Sequence, residues 1–173
     1  MDLTGKKILV TYFSHAGENY FGGKIVNITK GNTHVLAEII AEMYSADLFE
    51  IKTNKKYAFK YAACTQEAKE ELQENARPKL ADDIDISKYD VIILGFPNWW
   101  GTMPMPVCTF LEKHNFEGKI VLPFCTHEGS EMGKSEQDLA NIIPLAIRKK
   151  GLPVRGSKVK EAESDVAEWI ENI

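Results

Sequence analysis

Apolar runs of strand length alternate along this chain with segments whose apolar positions recur at helical spacing, a pattern that predicts successive βα units. The run Lys7-Ile8-Leu9-Val10-Thr11-Tyr12-Phe13 is β-rich and nearly continuous in apolar character, as a central parallel strand covered on both faces must be. After Asn32-Thr33, a pair suited to a helix start, Val35, Leu36, Ile39, Ile40 and Met43 fall on one helical face. A short second strand is expected over residues 46–51. A third, buried one over 91–96 is stopped by Pro97. The fourth is expected over 119–125 and a weaker fifth within 145–149. Helices are expected over 104–114 and 134–143, and a closing helix places Val166, Trp169, Ile170 and Ile173 on one face.

Five such units predict a doubly wound α/β domain over residues 1–173, with a five-stranded parallel sheet and helices on both faces. The stretch 53–85 is the least informative. A charged helix is expected over 62–75, and Tyr57, Phe59 and Tyr61 read as aromatics that anchor a long loop to the core. No chemistry is assigned there.

Sheets of this kind bind ligands beyond the carboxyl ends of their strands, where strand order reverses. The loop after the first strand, Ser14-His15-Ala16-Gly17-Glu18-Asn19, ends after a long excursion at Lys30-Gly31-Asn32-Thr33 on a helix start. Free N–H groups and a positive dipole at that terminus suit a phosphate, with hydroxyls from Ser14 and Thr33 and no required cation. The loop after the third strand runs from Pro97 through Asn98, Trp99, Trp100, Gly101, Thr102 and Met103 to Pro106. Paired tryptophans next to a glycine place broad π faces where a flat heterocycle can stack, and Gly101 admits positive φ. One of the two indoles is expected to plug the core beneath the loop. The third loop, Thr126-His127-Glu128-Gly129-Ser130-Glu131-Met132-Gly133, is small and polar.

Composition narrows the partners. A formal charge of −4 with only short basic clusters disfavours nonspecific nucleic-acid binding. No apolar run approaches the roughly 20 residues of a membrane span. The N-terminus carries no export signal, so a cytoplasmic location is expected. Cys64, Cys108 and Cys125 lack Cys-x-x-Cys spacing and read as reduced, mostly buried thiols, with no metal site. Gly133-Lys134-Ser135 resembles the end of a nucleoside-triphosphate loop, but Gly129 to Gly133 leaves three intervening residues where that motif needs four. A phospho-receiver domain needs an aspartate at the end of the third strand, where Gly95-Phe96-Pro97 stands instead.

Taken together, Tyr12-Phe13-Ser14-His15-Ala16-Gly17-Glu18-Asn19, Gly31-Asn32-Thr33, Tyr89-Asp90, the loop from Pro97 to Pro106 and Pro123-Phe124-Cys125-Thr126-His127 resemble the flavodoxin family, in its short-chain flavodoxin-like branch. The resemblance covers nearly the whole chain. It implies strand order 2-1-3-4-5 and bound FMN, with Ser14, Ala16, Asn32 and Thr33 around the phosphate. Pro97 to Met103 would then lie along the isoalloxazine and ribityl, and Thr126 to Ser130 against the other edge. His15 and His127 lie on the same loops, in backbone or phosphate-side contact rather than as acids.

The implied function is electron transfer between redox protein partners. The alternative on the same fold is an NAD(P)H-dependent flavin or quinone reductase acting on small quinone or flavin acceptors in an open pocket lined by Tyr57, Phe59 and Tyr61. Two features depart from the family. The third loop has no aromatic residue for stacking and carries Glu128 and Glu131, where an anion would oppose flavin reduction. Residues 20–29 lengthen the phosphate loop, and Phe21, Gly22 and Gly23 are expected to form a flap over the site.

Overall fold

A computed structural model describes residues Met1–Ile173. The first strand, β1 (Ile8–Tyr12), is buried at every position, as its unbroken apolar run requires. A hairpin follows, β2 (Gly17–Phe21) and β3 (Lys24–Ile28), and then α1 (Asn32–Met43). The chain continues through β4 (Asp47–Glu50), α2 (Tyr61–Gln73), β5 (Val91–Pro97), α3 (Met105–Lys113), β6 (Ile120–His127) and α4 (Ser135–Ile142). It closes with β7 (Ile147–Arg148), β8 (Leu152–Arg155), a 3₁₀ turn over Gly156–Glu161 and α5 (Glu163–Asn172).

The central sheet is parallel throughout and runs β4-β1-β5-β6-β7, with β8 also pairing β6. The expected order is amended in two ways. An antiparallel hairpin stands between the first strand and its helix, so the flap expected over 20–29 is a two-stranded sheet turning at Gly22-Gly23. The outer edge is split: β7 lines up with the start of β6 and β8 with its end. Both edge strands are short, which limits pairing with other chains.

Two apolar clusters form, one on each face of the sheet. Leu9, Ile92, Leu94 and Phe96 meet α3 on one face through Val107 and Phe110. Val10, Ile93, Leu122 and Phe124 meet α1 and α5 on the other, through Leu36, Ile40, Val166 and Trp169. Alternate residues of each strand serve opposite clusters because side chains in a strand alternate between faces. Each fully buried Leu, Ile or Phe contributes on the order of 2 kcal/mol. No helix is long and apolar enough to cross a membrane.

Candidate functional site

The carboxyl ends of β1, β5 and β6 open onto a cleft of about 490 Å³. Strand order reverses here, since the chain leaves β1 for β4 on one side and β5 on the other.

At one end lies the start of α1. Gly31, the residue before the helix, is extended and offers no side-chain cap. Ser14 supplies one from β1's loop: its Oγ accepts the His34 N–H at 3.1 Å. The first helical bond joins Val35 N–H to Gly31 O, and the N–H groups of Asn32 and Thr33 have no protein partner. Those two donors, at the positive end of a helix dipole, form an anion seat. Gly31 is required for it, because a Cβ there would overlap both Ser14 Oγ and His15 O. Thr33 Oγ1 and Thr126 Oγ1 share a buried hydrogen bond of 2.7 Å, which ties α1 to the end of β6. One of the two hydroxyls donates, and the other keeps its own proton.

The second wall is a tight turn. Trp99 N–H donates to Thr102 O at 2.9 Å and Thr102 N–H to Trp99 O at 3.3 Å, with φ of 56° at Trp100 and 85° at Gly101. This is a type I′ turn, whose first central position ordinarily takes Asn, Asp or Gly. A tryptophan with positive φ stores strain on the order of 1–3 kcal/mol. Three contacts hold it. Trp100 Nε1–H donates to Thr65 O at 2.8 Å, Gly101 N–H to Asn98 Oδ1 at 2.9 Å, and Lys134 N–H to Gly101 O at 2.8 Å. The Trp100 carbonyl is the one left free in this turn. Trp99 packs edge-on against Phe13, Tyr57 and His15 and is the indole that plugs the core, while Trp100 is 51% exposed.

On the third wall His127 Nδ1 accepts the Gly129 N–H at 2.9 Å, so the neutral ring carries its proton on Nε2. Burial, aided by the Arg155 charge, holds His127 below its ordinary pKa. Burial does the same for His15, against the opposing pull of Glu67, and the His15 Nε2 atom is buried without a partner. Glu128 faces inward on the protein's own donors: Ser157 N–H at 2.7 Å, Ser157 Oγ–H at 3.3 Å and Gly22 N–H at 3.3 Å. It clasps the hairpin turn to the third loop.

Of the residues expected from sequence, the cleft brings together Ser14, His15, Asn32, Thr33, Pro97, Asn98, Trp99, Trp100, Thr126, His127, Glu128 and Ser130. It leaves out Ala16, Gly101, Thr102, Met103 and Gly129. Thr102 and Met103 are corrections with a clear cause. The I′ turn reverses the chain into the core, so Met103 is fully buried and the Thr102 hydroxyl donates to Asp138 at 2.5 Å. Ala16 points to solvent, and the Gly129 amide is spent on His127.

The cleft also takes in Glu18, Asn19 and Tyr20 of β2, Cys64, Thr65 and Ala68 of α2, and Gly156, none of them anticipated, together with Tyr61, expected there only under the reductase alternative. Tyr57 instead packs on the core, and Phe59 is exposed rather than anchored to it. The spacing Tyr61, Thr65, Ala68 marks one helix face, but its mixed polarity carries no amphipathic signal. The stretch to which no chemistry was assigned therefore forms a wall. Its Cys64 thiol is pushed up to about 12 by burial and by Glu67 and Glu71, and burial puts the Cys125 thiol near 12 as well, so both are unreactive.

A family model described as Flavodoxin matches residues 7–173. Among solved structures, a putative flavoprotein from Bacteroides uniformis ATCC 8492 is 28% identical, with 95% of this chain and 99% of that chain covered and a TM-score of 0.74. A putative flavoprotein from Bacteroides eggerthii DSM 20697 is 27% identical, covering 94% and 99%, with a TM-score of 0.72. A flavoprotein from Lactobacillus acidophilus NCFM, solved in complex with FMN, is 24% identical, covering 96% and 99%, with a TM-score of 0.68. Comparison with curated proteins finds no match.

Proposed function

The chain belongs to the flavodoxin family, and from that premise we propose that its cleft binds FMN and that it works as a flavin-dependent oxidoreductase on small molecules. The observation that carries the cofactor assignment is the α1 seat. Two unpaired N–H groups, a helix dipole and nearby hydroxyls make a donor set without a lysine or arginine, which suits the phosphate of a mononucleotide.

When bound, FMN supplies a carrier for one or two electrons. The chain's own residues orient it. Asn32 and Thr33 hold the phosphate end, and Ser14, already fixed on the His34 N–H, shapes the seat. Trp99, on the cleft wall, would border the ring, and the free Trp100 carbonyl would be the acceptor available to a ring N–H. Neutral His127 offers Nε2–H as a donor without bringing a positive charge.

Between carrier and reductase, the α2 wall favours the enzyme. A shuttle needs only its flavin edge presented to a partner, whereas Tyr61, Thr65 and Ala68 extend the cleft beyond the three sheet loops. The charge of −4 also provides little long-range steering toward a basic protein partner. The test is spectroscopic and then kinetic. Purified protein loaded with FMN shows bound-flavin absorption bands, and with NAD(P)H and a quinone it consumes the nicotinamide without any added reductase. Flavin bands with no such turnover would return the protein to the electron carriers.

A further inference from the structure

The rings at the mouth of the cleft are placed for a second ligand. Trp100 is 51% exposed and Tyr20 45% exposed, and Tyr20 lies 6.5 Å from Tyr61 at an interplanar angle of 37°. None of these rings belongs to the anion seat at α1. The indole of Trp100 is displayed at a cost: a strained left-handed backbone sets its direction, and the Thr65 carbonyl fixes its edge. Lys69 Nζ stands 5.3 Å from the Trp100 ring centroid. Lys60, the residue before α2, is paired with Glu18 at 2.6 Å, but Lys69 enters no ion pair. Flat apolar faces beside one unpaired cation match a flat aromatic acid, whose ring lies among tyrosine and tryptophan while its anion meets the ammonium.

We propose that Tyr20, Tyr61 and Trp100, with Lys69 as the charge anchor, form a subsite for a planar aromatic carboxylate or sulfonate beside the cofactor. The inference rests on the flavin reading, because this ligand is the small molecule that meets the bound cofactor. Lys69 acts on specificity, and the rings act on affinity for any flat ligand.

Calorimetric titration of the FMN-loaded protein with 2-naphthoate and with 2-naphthol tests this, since the two probes share a ring system and differ in charge. Naphthoate binds about threefold or more tighter than naphthol, as expected for one partly exposed ion pair, and added salt erodes the difference. Lys69→Ala removes the preference, Lys69→Arg keeps it, and Tyr61→Leu weakens both probes. Equal binding of the two probes by the unaltered protein, or a preference that survives Lys69→Ala, would overturn the subsite. So would unchanged binding of both probes in Tyr61→Leu. If the protein shows no flavin bands at all, the cofactor assignment fails instead, and the two failures are read from different signals.

Discussion

At the scale of single residues, Gly31 carries the most direct consequence. A methyl group there would overlap Ser14 Oγ and His15 O, and the seat opens only if one of them moves. Gly31→Ala is expected to weaken FMN binding by about tenfold or more and to cost on the order of 1–3 kcal/mol in stability, read by flavin-fluorescence titration and by chemical unfolding. His15 and His127 give a pH dependence. Burial is the leading cause that holds both rings below the ordinary imidazole value. The unfolded chain therefore takes up protons near pH of about 6.5 that the folded chain refuses, so stability is complete above that pH and falls as pH is lowered. A His15→Gln variant should lose less of its urea midpoint than the parent between about pH 7.5 and about pH 5.5, and an identical slope would remove His15 from the account. Ser14, Asn32, Thr33 and the plugging role of one tryptophan were legible in the sequence, because strand-loop-helix order alone places them. The burial of Thr102 and Met103 was not, because it follows from a I′ turn with tryptophan at a position where turn chemistry predicts another residue.

At the scale of elements, the hairpin of β2 and β3 acts through its attachments. Glu18 N–H donates to Phe59 O at 2.9 Å, and the Glu18 carboxylate accepts the Tyr61 N–H at 3.1 Å, capping α2 from outside. At the turn, Glu128 holds Gly22 and Ser157 together. Glu128→Ala leaves both amides without an acceptor, so the hairpin should open and trypsin should cut after exposed Lys24 several-fold faster while the core stays folded. Cleavage at the parent rate would show that the clasp is idle. The hairpin escaped the sequence reading because Gly22-Gly23 sits between runs with weak alternation, and residues 20–29 looked like a loop insertion. β8 escaped because it is only four residues long and Pro153 interrupts its apolar run; a proline is tolerated on this edge, where no further strand needs its N–H. The main strands were legible because burial on both faces imposes unbroken apolar runs.

At the scale of the molecule, the α/β architecture was readable from alternation of period, while the closure of the cleft by α2 was not. That closure is a tertiary arrangement of a mixed-polarity helix face, and no local pattern encodes it. A ligand that binds only the closed, folded form stabilises it by mass action: FMN at about 100 times its dissociation constant adds about 2.7 kcal/mol. For a chain of this length the melting temperature should rise by about 5–10 °C, as differential scanning fluorimetry would show. The central claim is that the phosphate end of FMN sits on the open N–H groups of α1, and paired titrations of FMN and riboflavin test it most directly. The account predicts saturable FMN binding at one site per chain, with riboflavin weaker by about tenfold or more for want of the phosphate. Equal affinity for the two flavins, or no binding of FMN, would contradict it.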